Sequence, residues 1–285
     1  MKTGMIGLGA MGIGMARNIA KAGYLTGVYN RTTAKAQSLA EELNVIALDR
    51  PEDLAANVDI ILICVSADQD VLTMIEAIAK TIKPGTIVVD MSTVSSDTAK
   101  QAAAILAEKQ AAFLDAPVSG GMEGAKNGTL AMMVGGDQDA LEQARPVLKA
   151  MTRCIIYMGE TGSGQATKAV NQIMAAGINQ AVTEALAFAQ TQSLPMDKVI
   201  EVISGGASGN WFLQHRGPTM TQGVFAPGFK LALHHKDLNI CQSMAKQTGA
   251  STTLIDMTIA DYEQLMAEGY GDEDISALYR IKAID

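Results

Sequence analysis

The chain has 285 residues, 48% of them hydrophobic and 18% charged, with a formal net charge of −8. That length allows a sizeable core in one large or two ordinary domains. The acidic balance argues against nucleic acid or an anionic membrane as partner, since both call for a basic face, and no apolar run is long enough to span a bilayer. The N-terminus passes straight into Met5-Ile6-Gly7-Leu8-Gly9 with no basic region and cleavable apolar stretch, so a cytoplasmic protein is expected. Cys64, Cys154 and Cys241 are far apart and form no Cys-x-x-Cys pair; buried free thiols are expected rather than a disulfide framework or a zinc site.

Along the first half, apolar β-type runs at 2–6, 25–29, 59–65 and 86–90 alternate with helical stretches at 11–22, 33–42, 68–80 and 95–109. This alternation predicts a parallel sheet covered by helices. The run 59–65 is apolar almost throughout, as a strand buried on both faces should be. Further strands are predicted at 112–115, 130–135 and 154–158, with a helix from about 137 to 150. Residues 165–192 then lack proline, are rich in alanine and place apolar residues at helical spacing, which predicts one long helix ending before Leu194-Pro195. Such a helix is about 42 Å long, so it either joins two domains or packs on a second subunit. Residues 196–285 read as several further helices.

Gly7-Leu8-Gly9-Ala10-Met11-Gly12 lies between the first strand and the first helix. In that context the spacing is a dinucleotide fingerprint: Gly7 allows the tight turn, Gly9 the approach of the diphosphate, Gly12 close helix packing. The helix N-terminus supplies N–H groups and partial positive charge for the phosphates. The expected fold is therefore a Rossmann-like α/β domain with a parallel sheet over 1–162, followed by an all-α domain over 163–285 for substrate binding and oligomerisation. After the second strand stand Asn30-Arg31-Thr32 and Lys35, where an NAD site usually carries an acidic residue. A carboxylate would repel a 2′-phosphate, whereas Arg31 can grip it in a fork, so NADP(H) is expected over NAD(H). Two later strand ends, at Ser66-Ala67-Asp68 and Asp90-Met91-Ser92-Thr93, should also face the cofactor, Thr93 being the better candidate; loop capping is an equal alternative for both.

Asp115-Ala116-Pro117-Val118-Ser119-Gly120-Gly121 exposes consecutive backbone N–H groups suited to a small carboxylate. Downstream, Gly162-Ser163-Gly164-Gln165-Ala166-Thr167-Lys168-Ala169-Val170-Asn171-Gln172 opens the long helix, and Lys168, Asn171 and Gln172 share one helical face. With the glycine fingerprint and Lys236-Asp237-Leu238, these segments make the chain resemble the β-hydroxyacid dehydrogenase family over essentially its whole length. That family includes 3-hydroxyisobutyrate dehydrogenase and the tartronate semialdehyde, glyoxylate and succinic semialdehyde reductases, and is similar in fold to 6-phosphogluconate dehydrogenase.

The resemblance implies that Ser119, Gly120 and Gly121 bind the substrate carboxylate and that Lys168 is the catalytic acid/base. It places Thr93 and Lys236 near the cofactor and Phe229 near the nicotinamide, with Asp237 orienting Lys236 or its helix. Some members carry a substrate-binding Asn four residues after the lysine, where this chain has Gln172; Asn171 is the favoured contact. The expected reaction is hydride transfer between a nicotinamide and a small β-hydroxy acid or the corresponding aldehyde or keto acid, in which an ammonium beside the carbonyl oxygen stabilises developing charge and moves the proton. Trp211, Phe212, His215, Arg216 and Phe229 are candidates to shape the pocket, and Arg216 could meet a second acidic group or form a surface ion pair. His234-His235 has no further metal-ligand spacing, so no metal is expected. An imine reductase-like enzyme and a catalytically idle NADPH-binding module are the alternatives; Lys168 speaks against both. The long helix and the resemblance point to a homodimer or homotetramer.

Overall fold

A computed structural model describes residues 1–283. The chain divides into two compact units, Met1–Lys168 and the remainder from Ala169, so the division falls within the long helix.

The first unit opens with β1 (Thr3–Ile6), α1 (Ala10–Lys21), β2 (Leu25–Tyr29), α2 (Thr33–Leu43), β3 (Ile46–Ala47), α3 (Pro51–Ala55), β4 (Ile60–Ile63), α4 (Asp68–Ile78), β5 (Ile87–Asp90), α5 (Ser96–Ala107) and β6 (Ala112–Asp115). All four residues of β1, β4 and β5 are buried, as both-face coverage of a parallel strand requires. Their side chains alternate between two layers: Met5, Leu62 and Val89 join one apolar cluster, while Ile6, Ile61, Ile63 and Val88 join the other. The strands pair in the order β3-β2-β1-β4-β5-β6, all parallel. The connections from β1 therefore run to opposite sides, and the carboxyl ends of β1, β2 and β4 flank the crevice where such sheets take their ligands.

Beyond β6 the sheet is mixed. β7 (Val118–Ser119) leads through α6 (Gly121–Asn127) to β8 (Leu130–Gly136), followed by α7 (Gln138–Leu148) and β9 (Thr152–Gly159). β8 is antiparallel to β6 and β7 and parallel to β9. Residues 120–129 make a connection shorter than a parallel crossover needs, so β8 returns beside the strands that precede it.

α8 (Ser163–Thr191) has 29 residues. It ends where Ser193 takes a positive φ of 52° and Leu194 N–H reaches back to the Ala189 carbonyl, before Pro195 opens α9 (Met196–Ser204). The second unit continues with α10 (Trp211–Met220), α11 (Leu231–Thr248), α12 (Thr253–Ala267), a 3-10 turn (Ile275–Leu278) and α13 (Tyr279–Lys282). Its core gathers Leu186, Phe212, Leu213, Leu231, Leu238, Tyr262 and Leu265. Among the described residues, no helix is long and apolar enough to cross a membrane.

Candidate active site

The glycine loop after β1 is shaped for a close ligand. Gly7 has φ +92°, and a Cβ there or at Gly12 would strike a backbone carbonyl, that of Cys64 or Gly7 respectively. At Gly9 a Cβ would meet nothing within 4 Å, so the loop is open on the side where a diphosphate lies along the backbone. α1 starts with no side chain capping its first turn, which leaves the helix N-terminus suited to an anion. Asn30 Oδ1 accepts from Leu8 N–H at 2.9 Å, and its amide donates to the Thr32 carbonyl at 3.1 Å. Asn30 thus ties the loop to the end of β2. Arg31, Thr32 and Lys35 are exposed; the Arg31 side chain is 90% accessible and lies 3.7 Å from Asp70 Oδ1. Asp70 is an anion beside Arg31 that the sequence did not single out. Ser66, exposed, and Thr93, half-buried, follow β4 and β5 on the same sheet edge.

A second candidate cluster in the first unit forms around Lys168, only 7% exposed. Its Nζ donates to the Val118 carbonyl oxygen at 2.9 Å, one residue before Ser119. Ser119 is half-buried, and Gly120 and Gly121 are exposed with φ of +132° and +61°. Successive positive-φ glycines turn their N–H groups outward without side-chain obstruction. Residues far apart in sequence, Lys168 and Ser119-Gly120-Gly121, are thereby brought together.

The start of α8 is held from below. Asp115, at the end of β6 and fully buried, accepts from Gly162 N–H at 2.8 Å and Gln165 N–H at 2.9 Å, acting as a cap supplied by a strand. Burial pushes its carboxyl upward, against the opposing pull of those N–H bonds. Asp90, its neighbour across β5 and β6, is pushed up to about 7 by burial, with Asp115 and Asp68 adding repulsion; its Oδ2 has no hydrogen-bond partner.

In the second unit, Gln172 is buried and its amide is committed: Nε2 donates to Asp237 Oδ2 at 2.6 Å, and Oε1 accepts from Asn171 Nδ2 at 2.8 Å. Asp237 Oδ1 in turn pairs with Lys236 Nζ at 2.9 Å. Asn171 remains half-buried, with its amide oriented by Gln172. His234 Nε2 lies 3.2 Å from the Gln172 carbonyl and Nδ1 lies 3.0 Å from the Tyr262 hydroxyl, which accepts from Asn179 at 2.9 Å. A carbonyl only accepts, so Nε2 carries the proton and Tyr262 donates to Nδ1. Among the described residues, no group of His, Cys, Asp and Glu is arranged to hold a metal. Buried Asp274 accepts from Gly228 and Phe229 N–H at 2.9 and 3.1 Å and pairs with Arg216 at 3.1 Å. Arg216 does form an ion pair, but with a buried carboxylate rather than at the surface as expected. Phe229 is half-buried, and its ring stands 5.3 Å from that of His234, while Trp211 is exposed and stacks on His215 at 4.3 Å. Cys241 is buried as expected, but Cys64 and Cys154 are only half-buried, near strand ends.

Fold and site together define a nicotinamide-dependent oxidoreductase. Residues 2–159 match the family model described as the NAD binding domain of 6-phosphogluconate dehydrogenase, and residues 162–282 match the NAD-binding domain of NADP-dependent 3-hydroxyisobutyrate dehydrogenase. The 2-hydroxy-3-oxopropionate reductase of Escherichia coli is 37% identical over 86% of this chain and 85% of its own. The NAD-dependent L-serine dehydrogenase of Pseudomonas aeruginosa is 34% identical over 97% and 96%. The structure of Mycobacterium tuberculosis 3-hydroxyisobutyrate dehydrogenase with L-serine superposes with a TM-score of 0.91 at 31% identity, over 98% of both chains. The chain belongs to the β-hydroxyacid dehydrogenase family and is an NAD(P)-dependent oxidoreductase of small hydroxy acids. Imine reductases share the fold at 17–19% identity.

Proposed function

We propose that the protein is an NADP(H)-dependent enzyme interconverting a small β-hydroxy acid and its aldehyde or keto acid, with Lys168 as the general acid/base. The observation that carries this reading is the buried Lys168 ammonium bonded to Val118, directly before Ser119-Gly120-Gly121. A substrate whose carboxylate is held by the 119–121 amides brings its nearby carbonyl within reach of that ammonium. When bound, the nicotinamide supplies or accepts the hydride. Lys168 donates a proton to the carbonyl oxygen during reduction and takes it back during oxidation. Asn171 is the proposed amide contact to substrate; Gln172 holds Asp237 and, through it, Lys236. Lys236 and Phe229 serve the cofactor's nicotinamide end, and Gly7 to Gly12, Ser66 and Thr93 its diphosphate and ribose. Residues 1–162 are the cofactor domain and 163–285 the substrate and oligomerisation domain.

NADP(H) is favoured by exposed Arg31, Thr32 and Lys35, with no carboxylate at the end of β2. A homodimer or homotetramer is supported by the apolar Val170, Met174 and Phe188 exposed on α8. The test is a screen of glyoxylate, succinic semialdehyde, tartronate semialdehyde, 3-hydroxyisobutyrate and L-serine with NADPH or NADP+ and with NADH or NAD+. Turnover of at least one acid with preference for the phosphorylated cofactor is expected. Arg31→Ala should cost NADPH roughly 10- to 100-fold in kcat/KM, the worth of a charge-assisted pair, and leave NADH little changed. A native preference for NADH would overturn the cofactor assignment, and no turnover of any acid would leave the idle binding module.

A further inference from the structure

Gln165 sits on α8 one turn before Lys168 and is only 1% exposed. Its Nε2 donates to the Ser92 carbonyl at 2.8 Å, and its Oε1 accepts from Val94 N–H at 3.2 Å. The two bonds straddle Thr93. The same loop is tied onward, since Ser92 Oγ accepts from Val65 N–H at 2.9 Å, at the end of β4. One amide therefore spans the loop beyond β5 and the helix bearing the lysine. A side chain that only filled space would not need both a donor and an acceptor aimed at backbone on either side of one residue.

We propose that Gln165 is a positioning residue for the reaction, holding the Thr93 loop and the Lys168 turn in one fixed register. The backbone explains why a side chain is needed. Glycines 162 and 164 open the helix, so the first turn has little side-chain packing of its own. Asp115 fixes its N–H groups to β6. Asp115 sets where the helix begins, whereas Gln165 sets where its lysine-bearing face stands against the loop. Removing the amide leaves the Ser92 carbonyl and Val94 N–H buried and unpaired, and the two segments then shift apart to recover partners.

The proposal rests on Lys168 being the acid/base, so Lys168→Ala is measured in parallel. Gln165→Met keeps the volume and removes both bonds. Gln165→Glu keeps both bonds when protonated, its O–H donating to Ser92, and loses the donor when ionised. With the best acid from the screen, Gln165→Met should lower kcat about tenfold or more, with KM and the NADPH Kd (from nucleotide fluorescence) changed less than about threefold. Gln165→Glu should approach wild-type kcat at acidic pH and fall towards Gln165→Met as pH rises, a dependence absent from both reference proteins. Asp68, Asp90 and Asp115 are titratable groups nearby in all of them, and the charged Lys168 lies one turn away, so the comparison is made across one pH series, with melting curves to correct for folded fraction. If Gln165→Met keeps wild-type kcat, or both variants lose activity only in step with folded fraction, the positioning role is wrong. If Lys168→Ala itself retains kcat, the acid/base reading fails instead, whatever Gln165 does.

Discussion

Asp90 shows how a single residue near this site carries a cost that pH reveals. Its carboxyl has an ordinary value of 3.8 and is pushed up to about 7 in the fold by burial. Between those values the folded protein binds a proton that the unfolded chain has released, so stability falls as pH rises through that window. The loss, complete above pH 7, reaches up to about 4 kcal/mol for this group. Asp90→Asn mimics the neutral acid. Its melting temperature should match wild type near pH 4 and exceed it by a margin that grows up to about pH 7, and parallel curves for the two proteins would contradict this. Asp115 is raised in the same direction, so some pH dependence should survive the substitution. At this scale the sequence was informative wherever chemistry is written into residue type. Lys168 and Ser119-Gly120-Gly121 stood out as candidates by motif and spacing, and the structure sets the lysine against the residue before Ser119. Gln165 and Asp70 could not. A glutamine or a surface aspartate has no signature until its partner, on a distant segment, is known. Gln172 was legible as a candidate, but its commitment to Asp237 depends on where α11 packs.

At the scale of elements, the strands that read most clearly were those buried on both faces, because continuous apolar runs such as 60–63 have no other stable use here. β3 and β7, with two residues each, are too short for periodicity to register. α6 is hidden by its glycines, and the antiparallel turn of β8 follows from connection length rather than from any pattern within the strand. The start of α8 is the element on which the site depends. A Cβ at Gly164 would lie against the Asp115 carbonyl oxygen, and 2.7 Å from that of Met133, so the helix cannot accommodate it without moving off β6 and β8. Gly164→Ala should destabilise the protein by about 1–3 kcal/mol and lower kcat together with it. Gly9→Ala is the contrast, since a Cβ there meets nothing within 4 Å. It should melt like wild type yet bind nucleotide more weakly, because the methyl group occupies the diphosphate's approach. Denaturation curves and nucleotide titrations of the two variants check both statements; a wild-type melt for Gly164→Ala would remove the constraint assigned to this junction.

For the whole molecule, the division into an α/β unit and a helical unit was legible from the change in periodicity after residue 162, although the compact units separate within α8 at Lys168. A continuous helix carries no internal mark of where its contacts change sides. If the phosphorylated cofactor is the physiological one, NADPH should raise the melting temperature more than NADH at equal concentration. At one hundred times Kd the stabilisation is about 2.7 kcal/mol, or roughly 4–5 °C for a protein of this size. Equal shifts from both nucleotides would count against Arg31 as a discriminator.

The most direct measurement is turnover by Lys168→Ala beside its NADPH affinity. If the buried Lys168 ammonium delivers the proton, its removal should cost about 10²- to 10⁴-fold in kcat, while NADPH, for which the β1 loop and the β2 end are the proposed contacts, binds within about threefold of wild type. A variant that binds NADPH normally and keeps most of its kcat would show that some other group moves the proton.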